Sequence, residues 1–127
     1  VTREMCEGLN RTAYDFPSEV DEWEVSGFSP VPSQVVRPER VLESPAQFEC
    51  RTFRVVRHGV GKGAGNYVIG EVVRLHIHQA LMRDGALVED AFAPVARLGG
   101  KDYLDMGTLQ KFQLERPKAP SASSIEV

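Results

Sequence analysis

Tyr67-Val68-Ile69-Gly70-Glu71-Val72-Val73-Arg74-Leu75-His76-Ile77-His78 is the stretch on which the fold turns. It is rich in β-branched residues and free of proline, which predicts one long strand. Just upstream, glycine stands at 59, 61, 63 and 65, a composition suited to a flexible hairpin loop. Gln47 to Arg57 precedes that loop and alternates as a second strand. The predicted unit is therefore a hairpin of two long strands. Strict alternation groups Val68, Gly70, Val72, Arg74, His76 and His78 on one face, opposite Tyr67, Ile69, Glu71, Val73, Leu75 and Ile77. The second group is the more apolar and is the expected core face, with Glu71 then in need of a partner. In the earlier strand Phe48, Cys50, Thr52 and Arg54 alternate with Glu49, Arg51, Phe53 and Val55, so neither face is cleanly apolar. Both are expected to meet protein. Gly70 in mid-strand suggests a bulge or a close backbone approach.

Upstream of the hairpin, Met5, Cys6 and Leu9 among polar neighbours predict a helix within Val1 to Ala13. A second short helix is expected over Val20 to Val25, with Ser18 as its N-cap and Gly27 as its stop. Prolines 30, 32, 38 and 45 predict an extended connection with short edge pairings. Beyond the hairpin come a turn at Arg83-Asp84-Gly85, a short helical piece near Glu89 to Phe92 ended by Pro94, and a loop from Arg97 to Tyr103. Residues 118–127 have the composition of a disordered tail.

At 127 residues, 42% hydrophobic and 26% charged, the chain has the make-up of a single globular domain. Its formal net charge is -3 and its basic residues are spread along the sequence, so no nucleic-acid footprint is visible. No apolar run is long enough for a membrane helix. Cys6 and Cys50 lack both metal-type spacing and disulfide density, which predicts two buried free thiols and a cytoplasmic setting. The chain opens at Val1 with helical spacing already under way, which suggests a start inside a domain.

Chemical motifs are sparse. The alternating glycines with Lys62 open a strand rather than a helix and lack a following serine or threonine, which argues against a phosphate loop. His76 and His78 are two apart with no third ligand in sight, so a structural or solvent-exposed pair is expected rather than a metal site. Neither cysteine has a local histidine partner, and no serine sits in a nucleophile elbow. The segment Arg97, Leu98, Gly99, Gly100, Lys101, Asp102, Tyr103 is more suggestive. A guanidinium, two glycines permitting close approach and a tyrosine suit a flat anionic or aromatic ligand, and a glycine-capped turn would explain them equally.

Taken in order, Leu9-Asn10-Arg11-Thr12-Ala13 with Asp15-Phe16-Pro17, Val20-Asp21-Glu22-Trp23 with Gly27, Glu43-Ser44-Pro45 with Phe48-Glu49-Cys50-Arg51, Val68 to Val73, and Arg97-Leu98-Gly99-Gly100 with Tyr103 resemble the flavin reductase-like family. The likeness spans about Val1 to Pro117. It implies a mainly β fold with short helices, an FMN-binding split β-barrel, incomplete here at its N-terminal side because relatives carry further strands and phosphate-gripping residues before this point. It further implies a homodimer with noncovalent FMN, and NAD(P)H-dependent reduction of flavin, as a reductase component for a monooxygenase. Arg97, Gly99, Gly100 and Tyr103 are the cofactor-binding residues the resemblance suggests. No catalytic acid or nucleophile is required, because the flavin ring accepts the hydride. The alternatives are a non-catalytic flavin-binding or dimerisation module, or an inactive fragment lacking the phosphate-binding part.

Overall fold

The computed structural model describes residues 1–61, 63–88 and 91–116. The expected tail at 118–127, Lys62, and the Glu89-Asp90 part of the expected helical piece lie outside them. Helix α1 runs Cys6–Arg11 and α2 Glu22–Ser26. The strands are β1 Pro30–Val31, β2 Arg40–Val41, β3 Ala46–Arg57, β4 Asn66–Ile77, β5 Met82–Arg83, β6 Ala86–Leu87, β7 Val95–Gly99, β8 Asp102–Asp105 and β9 Gln110–Gln113. They form separate antiparallel ladders, β1–β2, β3–β4, β5–β6 and β7–β8–β9. Mainly β with short helices is the architecture found, and no closed barrel is present among the described residues.

The first helix is shorter than its periodicity predicts, because residues 2–5 are turns in which Met5 and Cys6 N–H groups donate to the Thr2 and Arg3 carbonyls. The second begins at Asp21 rather than Ser18. Asp21 Oδ1 accepts the Trp23 N–H at 2.9 Å, the bond that defines an N-cap. Gly27 ends the helix as predicted, left-handed at φ 72° with its N–H on the Trp23 carbonyl. The two helices touch through Gly8. The proline-rich connection forms only the two-residue β1–β2 pairing, the short edge pairing its prolines predict.

The long hairpin forms as expected, but two bulges change its faces. Glu49 pairs with Arg74 and Cys50 with Val72, so Val73 is an extra residue on β4; Thr52 pairs with Gly70 and Arg54 with Ile69, so Phe53 is extra on β3. Directly opposed residues share a face, and each extra residue shifts the alternation by one. Phe48, Cys50, Thr52 and Val55 therefore lie with Val68, Gly70, Val72, Leu75 and Ile77, while Glu49, Arg51, Arg54 and Val56 lie with Tyr67, Ile69, Glu71, Arg74 and His76. This corrects both alternations read from the sequence. Val55 joins the apolar face in place of Arg54, and Leu75 joins Val68 and Val72 instead of opposing them. The ribbon has one apolar face and one charged face. Glu71, now on the charged face, is exposed and needs no buried partner. Gly70 borders the second bulge, one of the two roles predicted for it, and a Cβ there would lie 3.1 Å from the Cβ of the Cys50 side chain rather than against another backbone.

Packing is thin. Met5, Cys6 and Leu81 are the buried apolar side chains among the described residues, whereas Phe48 is 63% exposed and Val68 67%. Cys50 is also exposed, which corrects the expectation of two buried thiols; only Cys6 is buried. Covering Phe48, Val55, Val68, Val72 and Leu75 would contribute roughly 1 to 2 kcal/mol each. That apolar face is an unmet demand of the fold.

Gly8 gives a test of helix packing. A Cβ there would fall 2.7 Å from Phe28 Cζ and 2.8 Å from the Ser26 carbonyl oxygen. Helix propensity alone favours alanine by about 1 kcal/mol, but the clash involves backbone and outweighs it. Gly8→Ala is expected to destabilise the fold by roughly 1 to 3 kcal/mol, read as a lower midpoint in urea unfolding.

Candidate functional site

Arg97 to Tyr103 is not the open loop expected from its glycines but a tight hairpin. Strands β7 and β8 pair Arg97 with Tyr103 and Gly99 with Asp102, with Leu98 as the extra residue. Gly99 at φ 115° and Gly100 at φ 55° make the reversal, backbone conformations that side chains disfavour. Nothing lies within 4 Å of a Cβ built on either glycine, so both present bare backbone to the outside. As a cross-strand pair, Arg97 and Tyr103 share one face of the sheet. The Arg97 guanidinium approaches the Gly100 carbonyl at 3.5 Å and pairs with no carboxylate among the described residues.

Behind this pair the aromatic ring is braced. Tyr103 stacks on Phe112 of β9 with ring centroids 5.7 Å apart, and the Arg3 guanidinium lies 3.8 Å from the Phe112 centroid. The Val95 N–H donates to the Val1 carbonyl at 3.0 Å and Asn10 Nδ2 to the Glu115 carbonyl at 2.7 Å, so the N-terminal segment is tied to the same three-stranded sheet. Asp102 is held below the usual carboxylate range by hydrogen bonds from Lys111 and Gln113. The four sequence-predicted residues are thus brought together at one hairpin tip. None of them lines the two clefts found elsewhere.

One cleft, about 460 Å³, lies where Met5, Leu9 and Phe28 meet Val36, Phe48 and Cys50 at the base of the long hairpin. The other, about 570 Å³, lies over α1 and carries Glu4, Glu7, Arg11 and Glu43. Beside the first cleft sits a cluster that sequence reading missed. Glu49 is 1% exposed, and its carboxylate accepts the Gln34 N–H at 2.8 Å, the Val35 N–H at 2.7 Å and a hydrogen bond with His76 Nε2 at 2.6 Å. Arg40 Nε stands 3.8 Å away, a charge contact without a hydrogen bond, while its other nitrogens bind Gln47 and the Pro32 carbonyl. Burial by itself would raise the Glu49 pKa. The hydrogen bonds from Gln34, His76 and Val35 outweigh it and lower it from 4.5 to about 2. A carboxylate between Phe48 and Cys50 in a strand was the available signal, but its partners are 14 to 27 residues away. His78 is structural too, its Nδ1 accepting the Ala80 N–H at 3.2 Å at the start of a 3-10 turn over Gln79–Leu81.

With the ladders and hairpins in place, comparison with known proteins is decisive. Residues 4–93 match the flavin reductase like domain. The chain belongs to that family. An uncharacterized protein of Halalkalibacterium halodurans is 35% identical over 120 residues, which cover 92% of this chain and 56% of that protein. Among solved structures, nitrilotriacetate monooxygenase component B from Bacillus cereus superposes with a TM-score of 0.74 at 28% identity, covering 89% of this chain and 56% of that one. The 2-nitrobenzoate 2-nitroreductase of Pseudomonas fluorescens gives 0.71 at 26% identity, over 96% of this chain and 59% of that one. A split-barrel flavin reductase from Shewanella frigidimarina, at 18% identity and a TM-score of 0.61, shares the fold. The chain spans between half and two thirds of the length of these proteins. The open ladders and the exposed apolar face of β3–β4 agree with a partial split barrel. The family match ends at residue 93, short of the Arg97–Tyr103 hairpin.

The Glu49 cluster generates a pH prediction. A carboxylate whose folded pKa is depressed adds stability that is fully present above its unfolded pKa and is lost as pH falls through the folded value. Here that window runs from about 4.5 down to about 2. Glu49→Gln should lower the unfolding midpoint near neutrality and flatten its decline across that acid range. Denaturant titrations at successive pH values measure both effects.

Proposed function

We propose that the protein is an FMN-binding oxidoreductase that uses NAD(P)H to reduce flavin, working as a homodimer and as the reductase partner of a monooxygenase. The observation that carries the reading is the likeness to nitrilotriacetate monooxygenase component B, which extends over 89% of the chain at 28% identity. Membership of the flavin reductase-like family supports the flavin. When bound, the flavin supplies a ring that accepts hydride and passes electrons on, so the protein's part is binding, orientation and electrostatics.

The residues of the β7–β8 tip fit one edge of such a ligand. Arg97 offers a planar cation with no carboxylate partner among the described residues, Gly99 and Gly100 offer uncovered backbone, and Tyr103 offers a ring stacked on Phe112. The guanidinium would hold an anionic group, and the two glycines would let the ligand approach the main chain. The chain's 56% share of its relative favours a second reading, a module that binds flavin or dimerises without nicotinamide turnover.

Adding FMN to the purified protein and following flavin fluorescence, then nicotinamide absorbance, separates these readings. Flavin uptake with steady oxidation of NADH or NADPH is expected. Uptake without oxidation would favour the second reading, and no uptake would remove both. Arg97→Ala should weaken FMN binding by about tenfold, the loss of one charge-assisted hydrogen bond, with the melting temperature unchanged.

A further inference from the structure

Beyond Glu49 and His76, which tie its base to the proline-rich segment, the charged face of the long hairpin stands exposed among the described residues. On it stand Arg51, Arg54 and Arg74, all exposed, beside Tyr67, Ile69 and Val56. None of the three guanidinium groups makes an ion pair among the described residues. Glu71 is the sole carboxylate of that face left available, because Glu49 is occupied by His76 and the Gln34 and Val35 N–H groups. Arginine together with an aromatic and aliphatic side chains is the composition of an interface core.

Elsewhere the chain carries the complement. Residues 12–36 contain Asp15, Glu19, Asp21, Glu22 and Glu24 and no lysine or arginine. All five acidic residues are exposed, and none makes an ion pair among the described residues. The Arg51–Arg54 stretch projects beyond the base where Glu49 ties the hairpin to the proline-rich segment, and no ion pair links the two surfaces within one chain. Two copies related by a twofold axis would satisfy both, since each arginine face meets the partner's acidic segment and the contact is made twice.

We infer that the arginine face of the β3–β4 hairpin, Arg51, Arg54 and Arg74, docks on the acidic segment around α2 of a second copy of this chain. The inference rests on the homodimer of the proposed function and names its surfaces, and it does not depend on flavin chemistry. Ion pairs at a rim supply little affinity but fix orientation and speed encounter, whereas arginine–carboxylate pairs enclosed at a twofold contact supply both. The apolar face of the same ribbon is left for other strands.

Sedimentation velocity on the purified protein, with no flavin present, tests this. Dimers that weaken as salt is raised are expected, with the combined Arg51→Glu and Arg54→Glu variant dissociating about tenfold more readily or worse. Adding Glu22→Arg and Glu24→Arg to that variant should restore the dimer, an outcome that general damage cannot produce. Circular dichroism melting checks that each variant is folded, and where the reversals unfold it, Arg51→Gln with Arg54→Gln and the salt dependence of the unmodified protein replace them. A dimer insensitive to salt and to the arginine variants, a failure of the second charge reversal to restore association, or a monomer at every concentration would overturn the inference. A protein that dimerises in this way yet takes up no FMN would leave the docking intact and remove the flavin reading.

Discussion

A single buried carboxylate holds the two halves of this structure in register. Glu49 sits in the middle of a strand with almost no exposure, and its oxygens are satisfied by two backbone N–H groups of the proline-rich segment and by His76 on the neighbouring strand. A buried charge without such partners would be prohibitively unfavourable, so the proline-rich segment has one position relative to the hairpin and is held there. Prolines remove donors from that segment, which leaves its few remaining N–H groups free to converge on an anion. Arg40 adds a nearby positive charge from the short β2 strand. The 460 Å³ cleft lies beside this placement, lined by Met5 and Leu9 together with Gln47 to Cys50.

Beyond that base the hairpin is governed by its bulges. Each inserts one residue, and together they sort side chains that alternate without preference into an apolar face and a charged one. The apolar face is exposed, and an exposed face of that kind marks a surface meant to be covered. The chain belongs to the flavin reductase-like family and spans 56% of the length of a relative, and its open ladders agree with a partial split barrel. The charged face has a different character, because charge matched to charge selects a partner more than it stabilises a core.

The β7–β8 tip relates to these elements through the N-terminal segment, which reaches it by the Val95 and Asn10 hydrogen bonds and the Arg3–Phe112 contact. Its side chains are arranged on a hairpin rather than on a loop, where a cation, two bare glycines and a ring stacked on Phe112 stand together at one edge of the sheet.

Much of this was legible in the residues. The long hairpin, the Gly27 helix stop, the sparse pairing of the proline-rich stretch and the family were all readable, because each depends on local pattern or on motif order. Ser18 was misread as a cap because several polar residues near a helix start compete for the same bond, and only the backbone geometry at Asp21 selects one. The Arg97–Tyr103 segment looked like a loop because its glycines conceal a strand pair made by register. Glu49 stood out only as a carboxylate between Phe48 and Cys50, and its role stayed hidden because its hydrogen-bond partners come from distant segments. Sequence by itself determined the long hairpin, the helix stop at Gly27, the sparse pairing of the proline-rich stretch and the kinship. Which face is apolar, which carboxylate is buried and which arginines stand unpaired were decided only in three dimensions, because an inserted residue in a ladder changes every side chain's face beyond it and is visible only when both strands are paired.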